Sequence, residues 1–338
     1  MADTDLLVAA TAATAPSART VPAQAASAEA VRETRLAALQ RTPARFLLVY
    51  GFALGVIVAA GSVIALRDAI PAPWSVPAVL GAMLVLGLFY AHFTELQHEL
   101  LHNHAFRSQG LSRALGILCG LPMLSSYAHY RYSHLRHHAR LGTPENEEFF
   151  DYPKRGLDSP LKLALAALSP GRFVALAGRI VDACLGRPVE GVRNERTAAQ
   201  IRSEYRLFGL VIAVAIAYTV LTGDLFFVLA WLVPLVLVAE PAHYLIELPE
   251  HFGLDVYGEP DPARNTRTIE ASALARWYTN GNNLHTIHHM VAGIPMGRCA
   301  QAHARRRDEM RVVEPSYWSF YRKVMSGEIR PIAAGDQR

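Results

Sequence analysis

Charge is scarce in this chain. Asp, Glu, Lys and Arg make up 18% of its 338 residues against 51% apolar ones, and the mean hydropathy is positive. That balance points away from an ordinary soluble domain and toward a membrane protein. Cysteine is scarcer still: Cys119, Cys184 and Cys299 stand far apart and form no C-x-x-C pair, which argues against both a disulfide framework and a thiolate metal site. The net charge of +4 comes without an aromatic-plus-basic pattern, so nothing here makes a case for nucleic acid. Large apolar residues are nearly missing from residues 1 to about 27, an Ala, Thr, Ser and Pro stretch expected to be disordered. Asp3 and Asp5 occupy the place of a basic n-region and no apolar h-region follows, which argues against a secretory signal.

What is present is a set of long uncharged runs. Residues 28–41 carry good helix formers with mixed charge, as expected of a short cytosolic helix before the membrane. Leu47 to Leu66 and Pro71 to Thr94 are then free of charge over 20 and 24 residues, each enough to cross a hydrocarbon core of about 30 Å. Arg35, Arg41 and Arg45 precede the first run, whereas the turn between the runs holds one basic residue, Arg67. The positive-inside rule therefore puts the N-terminus in the cytoplasm. Leu207 to Gly223 and Leu225 to Ala239 form a second hairpin around Thr222, Gly223 and Asp224. Its second arm extends to about Ile246 if Glu240 is paired or faces the protein interior. Ala114 to Tyr130, broken by Gly116, Gly120 and Pro122, reads as interfacial or re-entrant. Leu161 to Leu185, with Lys162, Arg172, Arg179 and Asp182, suits a helix lying in the interface. The expectation is an all-α integral membrane protein with four transmembrane helices and a cytoplasmic helical cap, both termini lying on the cytoplasmic side. By segment it divides into residues 1–44, a disordered stretch with a short helix; 45–304, the membrane catalytic domain; and 305–338, a cytosolic tail. The aromatics of that tail, Tyr317, Trp318, Phe320 and Tyr321, suit either a headgroup contact or a plain surface helix.

The histidines cluster. All 14 lie between His92 and His303, so the enrichment belongs to one functional region. His134, His137 and His138 follow an H-x-x-H-H spacing, and His285, His288 and His289 repeat it. His98 and His102 form an i, i+4 pair upstream. Positions three and four apart are neighbours on a helix surface, so each stretch presents a face of imidazoles. Neutral imidazole ligates iron, zinc, copper and nickel. Eight imidazoles are too many for one tetrahedral zinc and suit two metal ions. The topology delivers all three stretches to the cytoplasmic side. Two adjacent redox metals at the edge of an apolar bundle are suited to O2 chemistry on an apolar substrate.

These residues resemble the membrane fatty acid desaturases, integral di-iron enzymes with three histidine boxes. The boxes are His98 and His102, then His134, His137 and His138, then His285, His288 and His289. The likeness extends to Glu250-His251-Phe252-Gly253, where His251 resembles the family's extra histidine, and to the Asn-Thr-Arg-Thr run at 265–268. It spans roughly Leu47 to His303, and no fused H-P-G-G segment or cysteine-ligated iron–sulfur motif accompanies it. The resemblance implies two iron ions, O2 as co-substrate, and electrons from a separate ferredoxin or cytochrome with its reductase. The substrate would be a lipid or other alkyl chain in the inner or plasma membrane, with the active site cytoplasmic. Hydrogen is removed from an unactivated C–H bond; loss of a vicinal hydrogen then gives an alkene, and rebound of oxygen gives an alcohol. His243 rivals His251 for the ninth ligand position, while His92, His104, His129 and His303 read as hydrogen-bonded or packed non-ligands. Glu99, Glu147, Glu247 and Asn282 are candidates to orient the imidazoles.

Three other readings compete. His98 to His102 is also H-E-x-x-H, the helix motif of zinc metalloproteases with Glu99 as base, but an intramembrane protease leaves both triplets unexplained. A di-iron hydroxylase of an alkyl or lipid substrate uses similar histidines, and the regular second and third boxes favour desaturation over it. A metal-binding transporter needs polar positions along its spans, which here are almost uncharged apart from Glu240.

Overall fold

The computed structural model describes residues 41–154 and 156–332. The expected N-terminal disordered stretch lies outside them, as does the short helix before Arg41. Among the described residues the fold is helical apart from one two-residue strand pair.

α1 (Pro43–Ala65) and α2 (Ser75–Leu101) pack as an antiparallel hairpin. Proline at the first turn suits α1, since that N–H has no helical partner. α2 runs through the middle of the molecule against α1, α3 (Gln109–Gly120), α4 (Tyr127–Arg140) and the last apolar stretch. Every residue from Tyr90 to Leu101 is buried, including both the apolar side chains and the first histidine of box one. Gly87 allows the closest approach to the last stretch: a Cβ there would lie 2.3 Å from Val238 Cβ and 2.8 Å from the Pro234 carbonyl oxygen.

α3 and α4 are capped by Ser108 and Ser126, whose hydroxyls accept from the backbone N–H groups of Leu111 and His129. α3 has 12 residues, about 18 Å of helix, too short to cross a bilayer. The chain turns at Leu121–Ser126 before α4, with Leu124 at φ 53°, so 114–130 is not a continuous span.

α5 (Pro160–Ala167) and α6 (Pro170–Cys184) follow, separated by Ser169 in the left-handed region at φ 42°. α7 (Glu195–Thr222) opens on the Asn194 cap and stops at Gly223, which takes a positive φ. The last apolar stretch, Val228–His251, contains two π-helical segments, Val228–Leu232 and Leu235–Ala239, and then α8 (Glu240–His251). Its continuity meets the condition set by the sequence: Glu240 is fully buried and Arg172 of α6 pairs with it at 2.7 Å.

Among the described residues, five apolar helical stretches are long enough to cross a membrane by length and composition. Four correspond to the expected spans: α1, α2, α7 and Val228–His251. The fifth, Pro160–Cys184, is the segment read as interfacial, and it is broken into 8 and 15 residues at Ser169. The chain is an integral membrane protein. Its two hairpin loops meet at one end, where Arg67 pairs with Asp224 at 2.5 Å; the histidine stretches lie at the other ends of the helices.

The remaining elements cap that histidine end. They are α9 (Pro262–Asn265), β1 (Thr268–Ile269), α10 (Ala273–Tyr278), α11 (His285–Met290), α12 (Cys299–Arg306), β2 (Val313–Glu314) and α13 (Tyr317–Met325). β1 and β2 pair in parallel, Thr268 with Val313 and Ile269 with Glu314. The C-terminal aromatics divide between two environments. Phe320 and Tyr321 are buried in the cluster that holds Phe46, Tyr244 and Phe252, while Trp318 is 72% exposed. Tyr321 donates to the Leu245 carbonyl, so α13 is fastened to the last apolar stretch.

Candidate metal centre

Three helices and one loop bring the boxes together. His98 and His102 stand on the last turn of α2 and at its C-cap, His134, His137 and His138 on α4, and His285, His288 and His289 on the six-residue α11. α11 is set by its approach. The Ile269 N–H donates to the Asn283 carbonyl and the Asn283 amide to the Ile269 carbonyl, so β1 fixes the residues just ahead of His285.

The imidazoles form two adjoining groups. His98, His102, His134 and His288 have ring nitrogens within 4.8 Å of one another, as do His137, His251, His285 and His289. His138 joins the first group: its Nε2 lies 3.0 Å from Nε2 of both His134 and His288. The groups touch where the His138 ring stacks on His289 at 4.1 Å.

His134 Nε2 is the informative atom. His98 and His102 Nε2 approach it at 2.9 Å each, and His138 Nε2 at 3.0 Å. A neutral ring nitrogen offers one proton or one lone pair, so three such approaches cannot all be hydrogen bonds. Nitrogens sharing one ion do meet this way: with bonds of about 2.1 Å, two of them at a right angle sit about 3.0 Å apart. In the second group His137 and His285 Nε2 lie 3.1 and 3.0 Å from His251 Nε2. Both groups are compatible with bound metal.

Burial keeps these rings neutral. It is the main cause, with neighbouring imidazoles adding to it, that places His134, His138, His288 and His289 well below the ordinary imidazole pKa. Their lone pairs are therefore free at neutral pH.

Partners at Nδ1 orient the second group. His137 Nδ1 meets Asn146 Oδ1 at 2.9 Å, His251 Nδ1 meets the Asn265 carbonyl at 2.9 Å, and His285 Nδ1 meets Asn282 Oδ1 at 3.3 Å. The Asn282 amide in turn donates to Glu250 at 2.6 Å. Of the four residues expected to orient imidazoles, Asn282 does so. Glu247 faces a different histidine, His243, at 3.4 Å. Glu147 is an exposed partner of Arg136. Glu99 lies buried between Arg45 at 3.1 Å and the Asn280 amide at 2.8 Å, so it is tied away from the metal face and is not placed as a protease base. Asn146 and the Asn265 carbonyl were not among the expected residues. The run at 265–268 acts as a buckle: Arg267 is buried under Phe320, donates to the Pro249 carbonyl, and its backbone N–H reaches Glu250.

The other histidines hold different partners. His92 meets the Tyr278 carbonyl, His104 the Ala292 carbonyl, His129 the Tyr205 hydroxyl and His303 the Glu270 carboxylate. His243 lies apart from both groups, with its Nδ1 2.7 Å from the Tyr152 hydroxyl. A cavity of about 30 Å³ opens beside the centre, walled by Tyr130, Phe149 and Phe150 on one side and by Glu148, Glu247 and Glu250 on another. Burial alone would raise the Glu148 carboxyl, but the Lys154 ammonium 2.9 Å away holds it at about 2.

The chain was compared with known proteins. The family model described as fatty acid desaturase matches residues 73–321, which takes in all three boxes and His251. The chain is also similar to a protein of Calendula officinalis named Delta(12) fatty acid desaturase DES8.11. The two are 24% identical over 276 residues, covering 74% of this chain and 70% of the relative. Matched through every histidine stretch, the chain belongs to the fatty acid desaturase family.

Proposed function

We propose that this protein is an O2-dependent di-iron oxidoreductase that places a double bond in an alkyl or fatty acyl chain, using electrons from a separate ferredoxin or cytochrome. The observation that carries this reading is the convergence of three imidazole nitrogens on His134 Nε2 at 2.9 to 3.0 Å. In this reading His98, His102, His134, His138 and His288 hold one iron, and His137, His251, His285 and His289 hold the other. Such a pair supplies oxidation of an unactivated C–H bond by O2. The relative's name, a Delta(12) fatty acid desaturase, favours an acyl substrate and desaturation.

The protein's own residues contribute position and dryness. Tyr130, Phe149 and Phe150 wall the cavity with stacked and edge-on rings, which excludes water from the reacting face. At about 30 Å³ the cavity, lined also by His98, His134, His137, His251 and His285, holds at most a few water-sized groups and not an acyl segment. The aromatic wall must shift for a methylene group to reach the histidine face. The histidine end of the bundle faces the cytoplasm in this reading, as the basic residues ahead of α1 require, and there the donor protein docks.

Expression in a host that supplies a reductase and donor, followed by mass spectrometry of the lipids, tests the proposal. The expected product is lighter than its parent by two hydrogens and appears only with O2. A product heavier by one oxygen atom, with no alkene, would overturn desaturation in favour of hydroxylation.

A further inference from the structure

A third group of donor atoms stands outside both histidine groups. Glu95 lies on α2 one turn before His98, and His243 and Glu247 face it from α8, themselves one turn apart. One imidazole nitrogen and two carboxylate oxygens gather within 4.8 Å of one another. His243 Nε2 is 3.4 Å from Glu247 Oε1 and 3.8 Å from Glu95 Oε1. Both distances exceed those of an N–H···O hydrogen bond, about 2.7–3.2 Å.

The atoms are buried and aimed inward. Glu95 is 2% exposed and His243 0%, and neither oxygen of Glu95 nor Nε2 of His243 has a hydrogen-bond partner. The Asn282 amide beside Glu95 and the Tyr130 phenol beside Glu247 are neutral and supply no compensating charge. Of the cations packed against this region, Arg172 is committed to Glu240 and to the Met123 carbonyl, and Lys154, which also acts on Glu247, is committed to Glu148 at 2.9 Å. Buried polar groups of this kind require a partner, and buried carboxylates require a positive one. The imidazole is also pre-set. Tyr152 holds Nδ1 at 2.7 Å and the Phe150 ring packs 4.4 Å from the imidazole centroid, which leaves Nε2 turned toward the carboxylates. This is how a metal-bound histidine is usually oriented.

We propose that Glu95, His243 and Glu247 bind a third divalent first-row transition ion, separate from the two histidine groups. The two carboxylates balance its charge. A nitrogen ligand disfavours magnesium and calcium, which take oxygen. Ligand atoms around a tetrahedral ion with bonds of about 2.1 Å lie about 3.4 Å apart, closer to the spacing here than to the tighter spacing of the histidine groups. Zinc, with a fourth position open, fits best. The ion ties α2 to α8, the two helices that carry His98 and His251, and so braces one histidine from each group.

The test is a metal count on the full-length protein in detergent micelles. The protein is stripped with chelator, loaded anaerobically with Fe2+, titrated with Zn2+, and assayed by mass spectrometry of total metal. Three ions per chain are expected in the wild type, and two in each of Glu95→Gln and His243→Gln. Anomalous scattering at the zinc edge, measured on the wild type, should put a peak between His243 and Glu95 whether or not the variants fold. Two ions in the wild type, a third ion retained by both variants, or no peak there would overturn the third site while leaving the histidine groups standing. A peak at Glu95 and His243 with fewer than two further ions would support the third site and count against the two-iron reading.

Discussion

Replacing Arg172 tests how the last apolar stretch carries a carboxylate at all. Glu240 is fully buried, Arg172 Nη1 lies 2.7 Å from it, and the arginine side chain is 15% exposed. Arg172→Met keeps an apolar stem but leaves the carboxylate uncompensated, at a cost of about 3–5 kcal/mol. The same guanidinium donates to the Met123 carbonyl, a bond worth about 1 kcal/mol. It also lies over Phe150 and Phe173 at 5.5 and 5.6 Å, which adds about 1 kcal/mol. The single variant is therefore expected to lose about 5–7 kcal/mol. In Arg172→Met/Glu240→Gln the uncompensated charge is gone, and about 2 kcal/mol of the loss should remain. The assay is thermal unfolding in detergent at one fixed scan rate, because unfolding of such proteins is often irreversible. At about 2 °C per kcal/mol for a large domain, the single variant should melt about 10–14 °C lower and the double about 4 °C lower. Equal losses in the two variants would refute the reasoning, because the cost would then lie in packing and not in the buried charge.

Further variants address the centre itself. His137→Ala removes a nitrogen from the second group, and the iron content should fall by about one equivalent per chain with loss of turnover. His104→Ala should retain both irons, since His104 bonds the Ala292 carbonyl and stands outside both groups; loss of iron there would count against the assignment. Asn146→Ala deprives His137 Nδ1 of its 2.9 Å partner and should weaken iron retention in a chelator competition by about 10–100-fold. Gly120→Ala drives a Cβ to 2.1 Å from the Ser125 carbonyl oxygen and 2.2 Å from the Gln97 amide. The expected cost is about 1–3 kcal/mol in a melting experiment, whereas Gly110→Ala, which meets nothing closer than 3.8 Å, should cost little from packing.

Several of these contacts were legible in the sequence and others were not, for definite physical reasons. His134, His137 and His138 share a face because helix geometry dictates it, and the same holds for the arms of both hairpins, where length and lack of charge are enough. The division of the imidazoles into two groups was not legible: adjacent His137 and His138 go to different groups, which depends on how α2, α8 and α11 cross α4. Asn146 sits on a loop nine residues beyond His137, where no periodicity reaches. The support for His251 comes from the main-chain carbonyl of Asn265, so the side chain carries no signal of it. Glu99 misled in the other direction. The H-E-x-x-H spacing suggests a base, but its partner Arg45 stands 54 positions earlier in the chain, and only packing α1 against α2 reveals that pairing. Phe320 and Tyr321 suited a headgroup contact and a plain surface helix equally, because a short amphipathic helix reads alike whether its apolar face meets lipid, water or protein; in the structure both are buried against protein.

The placement of charge around the centre follows from its ligands. Nine neutral imidazoles bring no negative charge, so under the proposed function two divalent ions held by them alone would leave a large positive charge in a buried site. Glu148, Glu247 and Glu250 share the small cavity with His137, His251 and His285 of the second group and with His98 and His134 of the first, and Glu250 comes within 3.3 Å of His285 Nε2. Lys154 already neutralises Glu148, which leaves Glu250 as the carboxylate nearest the second group. Around the first group the Tyr130 ring lies 6.3 Å from His98 and 5.6 Å from His134, and Glu95 stands on α2 one turn before His98. The approach of Glu250 comes from α8: its last two turns supply His251 together with Glu247 and Glu250, and the same segment had to be paired with Arg172 before it could reach the histidine end.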